Sequence, residues 1–511
     1  MITKRHLAAL IVVALGAPTN LSFASELALP NDKLLRSDLN EKDRARVLAV
    51  TAAPTDFSKP QPFEAMSGGA ATNKSTPDRD AFSGFSPNLS FEEQGTFKLG
   101  NALFNKLWVS SPSSTQASDG LGPLFNARAC DSCHIKDGRG TPPEGRIDAT
   151  SMFLRLSRAP QTEAEISAIK NGDVINFPDP TYGEQLQDVA VPGLVGEGRM
   201  VITYSDEPVT FADGTIVTLR RPSYAVTELG YGPLHPTTTL SPRVTPQMIG
   251  LGLIEAIHEA DIAKLADEDD ANKDGVSGRM NLVRDETGAV QLGRFGWKAQ
   301  NATIRAQSAG AFAGDIGIST PDKNTPFGDC MQPQSACFEF ASGEQARFGA
   351  SEAPDPVLEL VTFYSKNLAV PARRDVSSTD VLRGKELFHT SGCAACHTPN
   401  LVTRRDASDK AQAFQLIWPY SDFLLHDMGD GLADGQQVGL ASGNEWRTPP
   451  LWGIGLTKQV SGHTFFLHDG RARNLEEAVL WHGGEANSAK DAYLAAVKSD
   501  RNALIAFLES L

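Results

Sequence analysis

The chain has 511 residues, of which 41% are hydrophobic and 21% are charged, and its formal net charge at pH 7 is −15. This composition is typical of a globular protein that is long enough for more than one hydrophobic core. An acidic chain without a dense run of Lys and Arg lacks the basic footprint that a nucleic-acid-binding protein needs. We therefore expect no nucleic acid among its partners.

Residues 1–24 have the pattern of a secretory signal peptide. Lys4 and Arg5 precede an apolar run from Leu7 to Leu15, and the cleavage site predicted after it ends at Ala24. The run is too short to cross a bilayer, and no later stretch approaches the roughly 18 to 20 apolar residues of a membrane helix. We expect an exported, periplasmic protein with no membrane span after the signal is removed.

Residues 25–88 are polar and broken by Pro and Gly, which predicts an extended N-terminal arm. Regular structure is expected from about Leu89, because Ser90 and Glu93 have the spacing of a helix capping box. The helix predicted there ends with Gly-Asn-Ala-Leu-Phe104. A second predicted helix ends with Gly-Lys-Glu-Leu-Phe388, and each of these segments precedes a pair of cysteines. The similarity indicates a degenerate internal repeat.

Four of the six cysteines lie in two Cys-x-x-Cys-His motifs. In this attachment motif of c-type haem, two thiols bond covalently to the porphyrin and the adjacent His is the proximal iron ligand. A redox-active dithiol needs no adjacent His, and a zinc site needs further paired ligands that the sequence lacks. The motifs therefore predict two haem c groups, held by Cys130, Cys133, His134, Cys393, Cys396 and His397.

The stretch between His134 and Trp297 is far longer than the roughly 12 to 15 residues of a structureless loop in a compact domain. Within it, the segment from Thr203 to Leu219 carries an Asp-Gly turn between runs rich in Thr, Val and Ile, a pattern that predicts a β-hairpin. We expect this stretch to be an insertion with some β structure.

The motifs and the repeat together predict a mainly α fold with two cytochrome c-like helical domains. The first is expected at residues 89–375, including the insertion, and the second at residues 376–511. Apolar residues at helical spacing predict that the second domain closes with a helix from Tyr493 to Leu511.

The segment Asp270-Ala-Asn272-Lys-Asp274-Gly275 matches the first half of a calcium loop, with oxygen-bearing side chains at alternate positions. Position twelve of the loop is Asn281 rather than a bidentate Glu, so the match to the standard helix-loop-helix site is incomplete. Two interpretations stay open: a calcium site with Asp270, Asn272 and Asp274 as ligands, or a solvated turn.

The remaining two cysteines, Cys330 and Cys337, have no adjacent His. In an oxidising compartment a disulfide is the simplest interpretation. Closing so short a loop would stabilise the fold by roughly 2.5 kcal/mol on the chain-entropy model.

With these motifs the chain resembles the bacterial di-haem oxidoreductases, some of which are labelled thiol oxidoreductases. That family is related to the di-haem cytochrome c peroxidases and to the di-haem enzyme that matures methylamine dehydrogenase. The resemblance runs over most of the chain and rests on the segments 122–134, 250–256, 293–299, 446–452 and 466–471. It implies an oxidoreductase enzyme. A thiol substrate finds no support, because no cysteine stays free for exchange if the last pair is bridged.

The relationship to the peroxidases implies a second ligand for the C-terminal haem. In those enzymes a His-x-Gly motif is followed fourteen residues later by the distal ligand. Here the motif begins at His468, and the matching residue is His482. This implies bis-His ligation through His397 and His482, and imidazole in place of Met would lower the reduction potential. The alternative is a His stabilised by the dipole at a helix C-terminus.

The same relationship implies a distal pocket at the N-terminal haem. The peroxidases have a Trp between the haems, a Gln ten residues later and a Glu ten beyond that. The corresponding residues are Trp297, Gln307 and, after a two-residue deletion, Asp315. Above an open iron, a carboxylate can move a proton between peroxide oxygens and an amide can orient the bound species. The alternatives are a loop carboxylate or helix cap for Asp315 and a core aromatic for Trp297.

These observations lead to the hypothesis of a periplasmic di-haem c-type oxidoreductase. It would reduce peroxide, or a similar small-molecule oxidant, at the N-terminal haem with electrons passed by the C-terminal haem from a periplasmic donor. Two other interpretations stay open: a non-catalytic electron carrier with both irons six-coordinate, and an enzyme that oxidises a protein or metal substrate at its surface.

Overall fold

The computed structural model describes residues 27–143 and 150–511, so the predicted signal peptide lies outside the described residues. The chain is 30% helical and 17% strand, and its strands form many small sheets. The prediction of a mainly α, cytochrome-like fold is therefore wrong, and the fold is mixed. Within the described residues, no helix has both the length and the apolar character needed to span a membrane.

The helices of the described residues are short, and they are α1 Glu41–Val50, α2 Phe91–Phe104, α3 Glu163–Lys170, α4 Leu251–Glu255, α5 Glu259–Ala263, α6 Ile304–Ala311, α7 Asp355–Lys366, α8 Thr379–Thr390, α9 Thr457–Ser461, α10 Leu475–Trp481, α11 Asn487–Ala495 and α12 Lys498–Ser510. A π-helical turn, Phe312–Ile316, continues α6. The predicted capping box of α2 is confirmed, since Ser90 and Glu93 bond to each other's backbone.

The strands pair two by two, and they are β1 Thr72–Asn73, β2 Leu124–Phe125, β3 Met152–Arg158, β4 Val189–Ala190, β5 Arg199–Thr210, β6 Ile216–Thr227, β7 Thr238–Val244, β8 Leu282–Arg284, β9 Val290–Leu292, β10 Val370–Pro371, β11 Leu401–Val402, β12 Leu416–Ile417, β13 Leu425–Asp427 and β14 Glu445–Arg447. The pairs are β1–β10, β2–β4, β3–β7, β5–β6, β8–β9, β11–β12 and β13–β14. Of these, β1–β10 is parallel.

The internal repeat corresponds to two equivalent helix pairs, α2 with α7 and α8 with α12. A Cβ placed on Gly100 would lie 2.2 Å from the carbonyl oxygen of Leu360, and one on Gly384 would lie 2.0 Å from that of Ala503. Only glycine permits helices to approach this closely. The repeated glycines are thus explained by the two helix crossings.

The predicted hairpin is present and longer than expected. Strands β5 and β6 pair from Arg199↔Thr227 to Thr210↔Ile216, around the Asp-Gly turn. At its tip Asp213 forms an ion pair with Arg501 of α12 at 2.9 Å, and the ring of Phe211 packs edge-on against Tyr493. The inserted hairpin therefore rests on the C-terminal helices rather than on the first motif.

The predicted closing helix is divided in two. Helix α11 ends at Ala495 and α12 begins at Lys498, because Ala496 and Val497 are extended. Val497, which lies within the predicted helix, is 62% exposed and does not belong to its buried apolar face. Leu504 and Leu508 of α12 are buried in the core, as expected.

The N-terminal segment 27–88 is not wholly extended. It includes α1 and β1, and it contributes Leu27, Leu29 and Phe82 to the largest hydrophobic cluster. The buried carboxylate of Glu64 forms ion pairs with Arg373 and Lys385, which belong to the later part of the chain. The predicted domain boundaries stay a prediction.

Candidate haem site

A single cavity of about 640 Å³ is lined by both Cys-x-x-Cys-His motifs. The side chains that the sequence analysis placed around the haems also line it: Trp297, Gln307, Asp315 and His482. These residues come from parts of the chain that are far apart in sequence. The structure therefore brings the predicted haem residues together, while the role of each stays a prediction.

Each motif forms one short helical turn, Cys130–Ser132 and Cys393–Ala395. In both, the backbone N–H of the His donates to the carbonyl of the first Cys at 3.0 Å. The turn points both thiols and the imidazole into the cavity. The Phe that ends each copy of the repeat packs near the imidazole of its motif. The ring centroids of Phe104 and His134 are 6.1 Å apart, and those of Phe388 and His397 are 6.2 Å apart.

The two motif imidazoles are held in the same tautomer. Nδ1 of His134 bonds to the carbonyl oxygen of Pro246 at 3.1 Å, and Nδ1 of His397 bonds to that of Tyr420 at 2.9 Å. A carbonyl can only accept, so Nδ1 carries the proton and Nε2 keeps its lone pair. In this arrangement the other nitrogen is free to bind a metal.

His482 has the same geometry at the end of α10. Its Nδ1 donates to the carbonyl of Ala478 at 2.7 Å, and the helix is capped by Asn474, whose side chain accepts from the N–H of Glu477 at 2.8 Å. Burial lowers the pKa of His397 to about 4, and His482 adds to this lowering because the two imidazoles are close. Both rings face the cavity.

The motif cysteines form no disulfide; Cys133 is buried, and Cys130, Cys393 and Cys396 are partly buried. Burial raises the pKa of Cys130 to about 12 and that of Cys393 to about 11. Thiols with a raised pKa are poor nucleophiles at neutral pH, which disfavours dithiol exchange. The pair Cys330 and Cys337 forms the predicted disulfide.

A zinc site at the first motif is also disfavoured. Within the described residues, one set of His, Cys, Asp or Glu side chains places three possible ligand atoms within 4.8 Å of one another. This set is Cys396, Asp422 and His426, and its cysteine belongs to the second motif. His426 is occupied by two carboxylates, since its Nε2 lies 2.8 Å from Asp422 and its Nδ1 lies 2.7 Å from Glu485. Although burial opposes its charged form, these hydrogen bonds raise the pKa of His426 to about 12.

The cavity also offers cations for the two propionates of a haem. Nη1 of Arg243 is buried without a hydrogen-bond partner in the described part of the chain. A buried unpaired donor is costly, and a carboxylate that enters the cavity would satisfy it. Further guanidinium groups line the same cavity, from Arg139, Arg294 and Arg447. The thiols, the imidazoles and these cations together fit a haem at each motif.

Trp297 lies on the wall of the cavity and is 8% exposed. Its Nε1 donates to the carbonyl of Val244 at 2.9 Å, and its ring meets that of His468 edge-on at 6.5 Å. His468 in turn stacks on Trp446 with ring centroids 3.8 Å apart. Three aromatic rings are thus in contact along the cavity, and the sequence analysis had singled out the first of them.

Gln307 lies on α6 and Asp315 on the π-helical turn that follows it. The Gln307 side chain accepts from Nδ2 of Asn301 at 2.9 Å, and Asp315 Oδ1 accepts from Nε2 of Gln185 at 2.9 Å. Burial raises the pKa of the Asp315 carboxyl. The negative charge of Asp315 further raises the pKa of Cys130 and that of Cys133, so Asp315 lies near the first motif.

Sequence reasoning missed the contribution of the insertion to this cavity. Strands β3 and β7 form one of its walls and provide Phe153, Arg155 and Arg243, while Glu184 and Asp329 come from nearby loops. The available signal was the alternation of apolar residues with Arg in Met-Phe-Leu-Arg-Leu-Ser-Arg158, which is typical of a strand with two different faces.

The predicted calcium residues lie on an exposed loop outside the cavity. Asp270 accepts a hydrogen bond from the N–H of Gly275 at 3.2 Å, and Asn272 donates to Asp274 at 3.1 Å. The side chain of Asn281, position twelve of the loop, is buried and bonds to the carbonyl of Lys298 at 2.7 Å. It is turned away from the loop, so calcium binding stays an untested prediction.

No curated protein matches the chain. Among solved structures, it is similar to hydrazine synthase of Kuenenia stuttgartiensis, with 14% identity over 90% of this chain and 96% of that chain and a TM-score of 0.29. So low a TM-score supports no inference about this protein. A family model described as "Di-haem oxidoreductase, putative peroxidase" matches residues 63–511 and confirms the resemblance seen in the sequence. The chain belongs to this family of di-haem oxidoreductases.

Proposed function

We propose that this di-haem oxidoreductase is an exported peroxidase with two covalently bound haem c groups. The observation that carries the proposal is the single cavity that joins both haem motifs to a carboxylate, Asp315, beside the first of them. The haems, when bound, supply the exchange of single electrons. The chain itself supplies ligation, positioning and protons.

Ligation is the task of three imidazoles. With Nδ1 bonded to a backbone carbonyl, His134 and His397 would each present Nε2 to one iron. His482, with its Nδ1 likewise bonded to a carbonyl, would hold the second iron together with His397. The second haem would then be closed to small ligands and suited to electron transfer, which leaves the first haem for substrate.

Proton handling is the task of Asp315 and Gln307. Reduction of one hydrogen peroxide breaks the O–O bond and takes up two electrons and two protons to give two water molecules. We assign to Asp315 the transfer of a proton from one peroxide oxygen to the other, and to Gln307 the orientation of the bound peroxide. The raised pKa of the Asp315 carboxyl favours this role, because it must hold a proton between two transfers.

Electrons would enter through the second haem and reach the first past Trp297. An indole between the two motifs would shorten the distance over which electrons must pass, and the N–H of Trp297, which lines the cavity, is fixed by the Val244 carbonyl. Export is supported by the signal pattern of residues 1–24 and by the Cys330–Cys337 disulfide, which is stable in an oxidising compartment. The donor would then be a periplasmic one-electron carrier.

The variant Asp315→Asn tests this proposal. It keeps the shape of the side chain and removes the proton-carrying group, so the kcat for hydrogen peroxide should fall roughly 10²- to 10⁴-fold. The measurement is steady-state turnover with a reduced one-electron donor, on protein whose intact mass includes both haems.

The matched control is Asp322→Asn, because Asp322 is an exposed carboxylate that pairs with Arg305 at 2.7 Å outside the cavity. It should retain full turnover. If Asp315→Asn and the control are equally active, the proton role is wrong, and a wild-type protein without any turnover would favour a pure electron carrier.

A further inference from the structure

Arg155 is a cation inside the cavity that the haem ligation does not use. Strand β3 is part of an antiparallel pair with β7, and its period of two places Phe153 and Arg155 on the cavity wall. The guanidinium lies 5.2 Å from the centre of the Phe153 ring. Across the described ranges it forms no hydrogen bond and no ion pair with protein, so its donors remain available.

A group of acidic side chains surrounds this guanidinium. Asp315 and Asp329 are joined through Gln185, whose Nε2 donates to Asp315 at 2.9 Å and whose backbone N–H donates to Asp329 at 3.1 Å. The N–H of Glu184 donates to Asp329 as well, at 2.5 Å. Gln185 forms an isolated β-bridge with Arg155, which fixes the strand against this group.

The carboxylates and the guanidinium influence each other without touching. Burial raises the pKa of Asp315, and the charge of Arg155 opposes the shift. Burial and the neighbouring Glu184 raise the pKa of Asp329, and Arg155 again opposes it. The cation is thus near enough to be felt by both carboxyl groups, and among the described residues neither carboxyl is bonded to it.

A haem propionate is a poor candidate for the partner of Arg155. Asp315 and Asp329 already lie near this guanidinium, and a further carboxylate would be repelled by their ionised forms. Nη1 of Arg243, which lies over the ring of Trp446, is buried without a hydrogen-bond partner among the described residues and offers a position for a propionate. Arg155 therefore faces a ligand that is small, polar and uncharged or only partly charged.

We propose that Arg155 is the substrate-binding residue of the first haem pocket and holds the oxygen atoms of hydrogen peroxide. This rests on the proposed function and deepens it. The guanidinium donates hydrogen bonds to the oxygen that receives the electron pair when the O–O bond breaks, while Asp315 moves one proton between the two oxygens. The two electrons come from the one-electron donor, and the two protons taken up come from solvent, so that each peroxide yields two water molecules.

The test is the affinity of the half-reduced protein for fluoride, which enters an open ferric haem pocket as neutral HF and is stabilised there by a hydrogen-bond donor beside it. Loss of one charge-assisted donor should weaken binding by roughly 10- to 100-fold in Arg155→Met. Arg155→Lys keeps the charge but loses the planar guanidinium group, so its affinity for fluoride should lie between those of the wild-type protein and Arg155→Met. The KM for hydrogen peroxide should rise in the same order.

The matched control is Arg158→Met on the same strand. Arg158 does not line the cavity, and it forms an ion pair with Glu165 at 2.6 Å. It should bind fluoride as wild type does. Arg155→Lys and Arg155→Gln keep the test available if Arg155→Met fails to fold.

Unchanged fluoride affinity in the Arg155 variants would overturn the inference, and a shifted haem potential with unchanged affinity would identify a propionate partner instead. Wild-type protein that neither binds fluoride nor turns over peroxide would overturn the proposed function, and the inference with it. The two failures are therefore distinguishable.

Discussion

His482 occupies a helix C-terminus, where a histidine is often stabilised by the helix dipole alone. Its surroundings differ from that simple case. Nδ1 is fixed by the carbonyl of Ala478, and the ring faces the same cavity as His397. The geometry repeats that of the two motif imidazoles, and this similarity favours a role as iron ligand.

Replacing His482 by Met should raise the reduction potential of the second haem, because thioether ligation stabilises the ferrous state. The expected rise is on the order of 0.1 V, within the roughly 0.8 V that axial ligands span. A spectroelectrochemical titration measures it. His235→Met is the control, since His235 bonds to Thr237 at 3.1 Å and does not line the cavity. An unchanged potential in His482→Met would remove His482 from the ligand set.

Residues with a local pattern could be predicted, and residues brought in by tertiary pairing could not. The motif side chains, such as His134, are defined by their immediate neighbours in the sequence. Arg155 and Arg243 reach the cavity because β3 pairs with β7, which is distant in the chain. Asp329 reaches it through hydrogen bonds with the 184–185 backbone. No local pattern in one sequence indicates such contacts.

Among the structural elements, the N-terminal segment 27–88 is held to the later part of the chain by buried ion pairs. The side chains of Glu64, Arg373 and Lys385 are each 1% exposed, and the single carboxylate forms an ion pair with both cations. Lys385 lies on α8, directly before the second haem motif. The segment predicted as an arm is therefore anchored to the part of the protein that carries the second haem.

The variant Glu64→Gln should lower the free energy of unfolding by about 3 to 5 kcal/mol, because it leaves two buried cations without a counter-charge. Urea unfolding measures this. Asp56→Asn, which removes an exposed ion pair with Lys59, should cost little and is the control. Equal stability of the two variants would contradict the anchoring role.

The same ion pairs predict a pH dependence. Burial would raise the pKa of Glu64, but Arg373 and Lys385 outweigh it, and the net pKa is lowered from 4.5. A carboxylate with a lowered pKa stabilises the fold above its ordinary pKa, and this contribution is lost as the pH falls through the lowered value. When the pH is lowered from neutral to acid, the free energy of unfolding of Glu64→Gln should therefore fall less than that of the wild-type protein.

At the level of elements, prediction succeeded where the signal was local and failed where it was not. The α2 capping box and the hairpin turn at Asp213 are encoded by neighbouring residues, and both are present. The mainly α fold was wrong because several sheets consist of two-residue strands, such as β11 and β12. Pairs this short leave no periodic pattern in the sequence.

For the whole molecule, the central feature is that two haem motifs from distant parts of the chain share one cavity. Asp315 lies near the first motif and His482 near the second, and Gln307 lines the same cavity. Two different environments around two similar motifs predict two different haems, one open to a small ligand and one closed by two imidazoles.

Electron paramagnetic resonance of the purified protein, fully oxidised and half reduced, tests this difference most directly. A low-spin ferric signal should come from the second haem, with His397 and His482 as axial ligands. A high-spin ferric signal from the His134 haem, in either state, is the result that the proposed peroxidase function predicts. Only low-spin signals in both states would contradict it and would leave a di-haem electron carrier.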